Sequence, residues 1–104
     1  MAIVTPEFLA LFKNYPLRSQ AEINDPLVIA KVFDTFGGAT WYLLEYDPED
    51  KITFCYVTGL GENEFGYSSL TEMEEIMHPT FKIPRIERDL YFTPAPLSKF
   101  VKIG

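Results

Sequence analysis

The feature that most constrains the fold is a pair of aromatic-rich runs separated by a short turn. Residues 40–46 read TWYLLEY and residues 52–58 read ITFCYVT. Both runs are rich in the β-branched and aromatic residues that are typical of strands. The intervening Asp47-Pro48-Glu49-Asp50 is a strong turn signal. The two runs are therefore predicted to pair as an antiparallel hairpin.

The hairpin has no polar face. Side chains alternate between the two faces of a strand, so the first run is predicted to divide into the sets Trp41, Leu43, Glu45 and Tyr42, Leu44, Tyr46. Both faces are then either covered by other elements or used to present aromatic side chains to a partner. Trp41, in the middle of the sheet, is expected to be buried.

Helix and strand signals flank the hairpin. Thr5-Pro6-Glu7 has the features of a helix start, and Ser69-Leu70-Thr71-Glu72 has the spacing of a capping box. Residues 27–33 form a β-branched apolar run, and shorter strands are predicted within 65–68 and 86–92. We therefore predict one α+β domain over residues 1–104. Its small, mainly antiparallel sheet of three to four strands is flanked by two short helices.

Composition excludes several classes of site. The chain has 104 residues, one cysteine (Cys55) and one histidine (His78). An internal disulfide is impossible, and the cysteine and histidine ligands that zinc prefers are too few. No catalytic residue, metal or cofactor is predicted. The sequence lacks a signal-peptide pattern and any apolar run of membrane-spanning length, so we expect a cytoplasmic protein with no membrane contact.

Charge is distributed unevenly along the chain. Residues 45–75 carry nine acids and one base, whereas residues 76–104 carry two acids and five bases. Such asymmetry is typical of an interaction surface. We therefore predict that Glu62, Glu64, Glu72 and Glu75 form an acidic surface that binds a basic protein surface. The alternative is that these acids only keep the protein soluble.

A second polar feature is Glu87-Arg88-Asp89 near the C-terminus. In a strand, Glu87 and Asp89 share one face and Arg88 takes the other. Arg88 is expected to pair with Glu45 or Glu64 across the sheet, or to hold a ligand carboxylate or phosphate. The candidate ligand or ion-pair cluster is therefore Glu45, Glu87, Arg88 and Asp89, and an enzyme or small-ligand binder would use Glu45, Glu64, Arg88 and Asp89.

Direct nucleic-acid binding through the C-terminal tail is a further alternative. The basic residues of the tail that would carry it are Lys82, Arg85, Arg88, Lys99 and Lys102. Phosphate contacts by lysine and arginine dominate such binding. The aromatic segment that would stack bases lies in the acidic block, which repels a phosphate backbone.

Four runs carry a resemblance to a known family. Residues 39–47 read ATWYLLEYD, 57–67 read VTGLGENEFGY, 69–72 read SLTE and 86–94 read IERDLYFTP. Together they resemble the bacterial domain-of-unknown-function family 2958 (DUF2958) over about residues 25–98. The resemblance implies a short accessory protein of a plasmid, phage or other mobile genetic element. The context that it implies is a role in replication, in transfer or in evasion of host defence. Together with the acidic block 45–75, this favours a non-enzymatic protein that acts by protein binding, such as an inhibitor of a host defence nuclease (anti-CRISPR or anti-restriction type), with a nucleic-acid-binding host protein as partner.

Overall fold

The predicted hairpin forms the centre of a five-stranded antiparallel sheet in a computed structural model that describes residues 3–102. The strands are β1 (Leu27–Val28), β2 (Ala30–Asp34), β3 (Thr40–Asp47), β4 (Ile52–Thr58), β5 (Glu64–Ser69), β6 (Ile86–Arg88) and β7 (Ala95–Pro96). The order in the sheet is β5-β4-β3-β2-β6, and β1 pairs separately with β7. The α+β class is confirmed. The prediction of three to four strands is too low, because the short segments β5 and β6 both pair onto the sheet.

Two short helices begin at the predicted caps. Helix α1 (Pro6–Leu11) follows Thr5, whose Oγ1 accepts a hydrogen bond from the N–H of Phe8 at 3.1 Å. Helix α2 (Leu70–Glu75) follows Ser69, whose hydroxyl accepts from the N–H of Glu72 at 3.2 Å. In each case the side chain satisfies an amide that the first helical turn leaves without a partner.

Each face of the sheet packs against a different part of the chain. On the helix face, α1 and α2 bury an apolar cluster that includes Phe8, Leu43, Cys55 and Leu70. On the opposite face, Leu44 and Tyr56 pack against Leu97 and partly buried tail residues such as Phe100. We call this second side the tail face. Covering both faces explains why neither strand of the hairpin has a polar side.

A β-bulge at Leu44 changes the predicted division of β3 into faces. Leu43 lies opposite Cys55, but the next paired residue is Glu45, opposite Phe54. The extra residue reverses the alternation beyond it. Tyr46 therefore enters the helix-face core, while Glu45 joins Leu44 on the tail face. The prediction that Glu45 shares a face with Trp41 is wrong for this reason.

The predicted strand over residues 27–33 is divided at Ile29. β1 leaves the main sheet to pair with β7, with Leu27 opposite Pro96 and Val28 opposite Ala95. The remainder continues as β2 in the main sheet. The division ties the proline-rich tail to the tail face, because the N–H of Leu97 also donates to the carbonyl of Pro26 at 2.8 Å.

Trp41 is only half-buried, contrary to the expectation from its position in β3. Its ring packs at the margin of the helix-face core and lines an open cavity beside β5. A half-buried indole stabilises the fold by less than a fully buried one, and its free surface remains available for contacts.

Candidate functional site

Strand β5 is an open edge of the main sheet. It pairs with β4 on one side, and within residues 3–102 no strand pairs with its other side. The N–H of Leu70 donates to the carbonyl of Lys51 at 3.0 Å, which identifies Ile52 and Ser69 as a pair without mutual hydrogen bonds. Since paired and unpaired positions alternate, the backbone N–H and C=O of Phe65 and Tyr67 point outward. A free strand edge is a template for a further strand.

The side chains of the same two residues are exposed beside this edge. Phe65 is 45% and Tyr67 64% exposed. Both lie on the tail face, opposite Tyr56 and Phe54 in the register. The ring centroids of Tyr56 and Phe65 are 4.8 Å apart, and those of Phe54 and Tyr67 are 5.0 Å apart. The edge thus combines unpaired backbone groups with a fixed aromatic surface.

On the tail face, this aromatic surface forms one wall of a cavity of about 540 Å³. We call it the loop cavity, because the segment 18–26 forms the opposite wall. Leu44 and Glu45 line it as well, and Arg18 contributes a basic side chain. Its volume lies within the range of small-molecule pockets, about 300–1,000 Å³.

Two buried polar side chains hold the segment 18–26 against the sheet. The carboxylate of Glu45 accepts from the N–H of Arg18 at 2.7 Å and from the N–H of Gln20 at 2.8 Å. The side-chain amide of Gln20 donates to the carbonyls of Leu27 and Leu44, and its oxygen accepts from the N–H of Leu27. Glu45 is thereby committed to anchoring this segment.

On the helix face, a second cavity of about 320 Å³ opens beside β5. We call it the edge slot. Its lining includes the apolar residues Trp41, Val57 and Leu60, and Gly66 lines it at the strand edge. The carboxylate-bearing residues Glu62 and Glu64 line the same cavity and are both exposed.

The four glutamates of the predicted acidic surface are all exposed. Glu64 begins β5 and Glu62 lies two residues before it, whereas Glu72 and Glu75 lie on α2, which begins directly after β5 ends. A strand of this length spans about 17–20 Å, so the glutamates frame the open edge at both ends. Other acids of the block have structural partners. Glu45 anchors the segment 18–26, and Glu74 accepts from the N–H groups of Ile3 and Val4.

The predicted cluster of Glu45, Glu87, Arg88 and Asp89 is brought together only in part, because Glu45 lies at the loop cavity, away from the other three. Arg88 lies almost fully buried against α1, with its guanidinium carbon 5.6 Å from the centre of the Phe8 ring. It pairs with Glu7 at 2.5 Å instead of with Glu45 or Glu64. The reason is that Arg88 lies opposite Val32 in the register, on the helix face. Glu87, Arg88 and Asp89 all line a cavity with Lys31 and Tyr91 at the far edge of the sheet.

Some of the basic residues of the tail form ion pairs with acidic residues of the protein. Arg85 pairs with Asp34 at 2.8 Å, and this contact holds the pKa of the Asp34 carboxyl below its usual range. Arg88 pairs with Glu7. Lys82, Lys99 and Lys102 remain exposed. Two of the five residues proposed for nucleic-acid contact therefore already have acidic partners.

Cys55 lies in the core of the helix face, where its sulfur is within 3.5 Å of the carbonyl oxygen of Gly66. Burial raises the pKa of the thiol from 9.0 to about 11. The thiolate is the reactive form, so we expect native Cys55 to resist thiol reagents near neutral pH. Labelling followed by mass spectrometry should be slow in buffer and fast in denaturant. Rapid labelling of the native protein would contradict this.

Comparison with known proteins identifies a family. The model of the family described as "Protein of unknown function (DUF2958)" matches residues 3–104, which extends beyond the run of about 25–98 that carries the resemblance. No match to a curated protein or to a solved structure was found. No helix among the described residues is long and apolar enough to cross a membrane. Across residues 3–102, His, Cys, Asp and Glu side chains do not gather in groups of three that could hold a metal ion.

Proposed function

The chain belongs to the DUF2958 family, and on this premise we propose that it is a non-enzymatic protein-binding module that adds an extended segment of a partner to the outer edge of β5. The observation that carries the proposal is the unpaired edge itself. The backbone groups of Phe65 and Tyr67 point outward, and the side chains beside them are exposed aromatic rings. Strand addition uses such main-chain groups for affinity and neighbouring pockets for specificity.

The charge around β5 indicates the character of the partner. Glu62 and Glu64 stand at one end of the strand and Glu72 near the other. A partner with a basic surface is attracted to this arrangement and held in register by it. We extend the proposal to a basic, nucleic-acid-binding host protein, such as a defence nuclease. The setting of a mobile genetic element comes from the family resemblance and is part of the same proposal.

Replacing Tyr67 with proline tests strand addition directly. The Tyr67 N–H points away from β4, so its removal costs no hydrogen bond inside the protein, and proline is tolerated on edge strands in this orientation. We expect the variant to keep its fold and to lose its partner. Affinity capture from a bacterial lysate, quantified by mass spectrometry against wild type, measures the loss.

The matched control is Tyr91→Ala, which removes another exposed tyrosine, 96% accessible, at the far edge of the sheet. Its set of captured proteins should equal that of the wild type. A set that survives Tyr67→Pro, or that is lost in both variants, would contradict strand addition at β5.

A second candidate function is small-ligand binding in the loop cavity. The observation that favours it is the cavity of about 540 Å³ with aromatic and apolar walls and one arginine. Such a site suits a planar ligand with an anionic group. Thermal-shift screening of aromatic acids and nucleotides tests it, with Phe54→Ala as the variant expected to abolish any shift.

A further inference from the structure

We infer that the edge slot receives an arginine or lysine side chain from the added partner strand, at the position opposite Gly66. This inference rests on the proposed strand addition and names the residue class that the site selects. The residues of its lining that the inference uses are Trp41, Val57, Leu60, Glu62, Glu64 and Gly66.

The register of an added strand assigns its side chains to two different cavities. Partner residues opposite Phe65 and Tyr67 lie on the tail face, next to the loop cavity. The partner residue opposite Gly66 lies on the helix face, next to the edge slot, because directly opposed residues share a face. Since Gly66 is hydrogen-bonded to β4, its pairing with a new antiparallel strand is of the close type, with Cα atoms about 4.5 Å apart.

The space beside the Cα atom of Gly66 is not filled by other residues in the described part of the protein. A Cβ built at this position meets no atom within 4 Å, and the backbone of Gly66 is outside the left-handed region. Neither packing nor backbone geometry within the protein therefore requires glycine here. Glycine inside a strand is often found where another backbone or ligand approaches closely. The free space lies where the side chain of an added strand would enter.

The lining of the slot is complementary to a long basic side chain. Trp41, Val57 and Leu60 offer apolar surface for a methylene stem, while Glu62 and Glu64 offer carboxylates for a cationic head. Among residues 3–102, the ion pairs are those of Arg85 with Asp34 and Arg88 with Glu7, so neither slot carboxylate has an ion-pair partner in this part of the chain. The half-buried indole of Trp41 adds a face on which a guanidinium can stack.

Matched synthetic peptides test the inference. The probe is a short fluorescent peptide of alternating tyrosine and threonine with one central arginine in a threonine position, compared with a peptide that carries neutral citrulline at that position. Binding is measured by fluorescence anisotropy to wild type, Gly66→Val and Tyr67→Pro. For wild type we expect the arginine peptide to bind about tenfold more tightly than the citrulline peptide, as for a charge-assisted hydrogen bond.

Gly66→Val separates loss of arginine selectivity from loss of folding. The added side chain meets no atom of the protein at its Cβ, and valine suits a strand better than glycine. We expect the melting temperature to stay the same or rise while the preference for arginine over citrulline disappears. Tyr67→Pro should abolish the binding of both peptides.

The outcomes separate the two proposals. Equal binding of both peptides to wild type, lost in Tyr67→Pro, would overturn the slot and leave strand addition standing. Arginine-selective binding that survives Tyr67→Pro would overturn strand addition at this edge. An arginine preference that persists in folded Gly66→Val would place the cation outside the slot, and no binding of either peptide would contradict both proposals.

Discussion

Replacing Gly59 with alanine is expected to destabilise the protein by about 4 kcal/mol or more, a size of effect reserved for a few specific mechanisms. Gly59 has a φ of +86°, which side-chain-bearing residues rarely adopt. A Cβ at this position would lie 2.0 Å from the carbonyl oxygen of Gly38 and 2.6 Å from its carbon. Both atoms are backbone, so relief requires the turn before β3 and the end of β4 to separate.

Alanine variants at two other glycines distinguish the cost of the steric clash from the cost of the backbone conformation. Gly61 has a φ of +118° but open space around a built Cβ, so Gly61→Ala carries only the dihedral cost of about 1–2 kcal/mol. Gly38→Ala carries neither cost, since nothing lies within 4 Å and its φ is ordinary. Urea unfolding followed by circular dichroism should rank the variants in this order. A free energy of unfolding for Gly59→Ala that equals that of Gly61→Ala would contradict the clash.

The elements predicted correctly from sequence are those whose signals are local. Strand β4 begins at Ile52 and ends at Thr58 as predicted, because turn residues bound a continuous β-branched and aromatic run. The caps Thr5 and Ser69 bond to amides three residues ahead, within the range of a short motif. Such features need no knowledge of the rest of the fold.

Features that depend on distant partners were not predictable in the same way. The run 27–33 reads as one strand, and its division at Ile29 follows from the pairing of β1 with β7 near the C-terminus. The bulge at Leu44 has no glycine to signal it, yet it decides that Glu45 faces the tail side and Tyr46 the core. Arg88 pairs with Glu7, 81 residues away on α1, and a contact over that distance leaves no local pattern in the sequence.

The candidate site was predicted only in part. Glu62, Glu64, Glu72 and Glu75 are all exposed, as polar residues in loops, at strand ends and on short helices usually are, while their binding role stays a prediction. The sequence did not indicate that Phe65-Gly66-Tyr67 form an open edge, because edge position is a property of strand order in the sheet. The alternation of aromatic side chains around a glycine was the available signal. Such a pattern indicates a strand that carries aromatic side chains on one face and lacks a side chain at the glycine on the other.

Reversing the charge of the acidic surface is expected to slow association by about 10–100-fold, because clustered charge steers a complementary partner during diffusion. The variant is Glu62, Glu64, Glu72 and Glu75 changed to lysine, and the probe is the arginine peptide described above. All four side chains are exposed, so the fold should remain, with a small cost at Glu72 for placing a cation in the first turn of α2. Stopped-flow fluorescence measures the association and dissociation rates separately.

Two double variants, one at Glu62 and Glu64 and one at Glu72 and Glu75, separate the effect on the association rate from the effect on the dissociation rate. Glu62 and Glu64 line the edge slot, so their reversal should lower the association rate and also raise the dissociation rate. Glu72 and Glu75 lie on α2, beyond the other end of β5, so their reversal should lower the association rate alone.

Raising salt from 0.1 M to 1 M shortens the Debye length from about 10 Å to about 3 Å, and it should likewise slow association of the wild type. An association rate indifferent to both reversals and to salt would mean that these glutamates only keep the protein soluble. That result would contradict electrostatic steering by these glutamates. If reversing Glu62 and Glu64 still raised the dissociation rate, the proposed direct contact in the edge slot would stand.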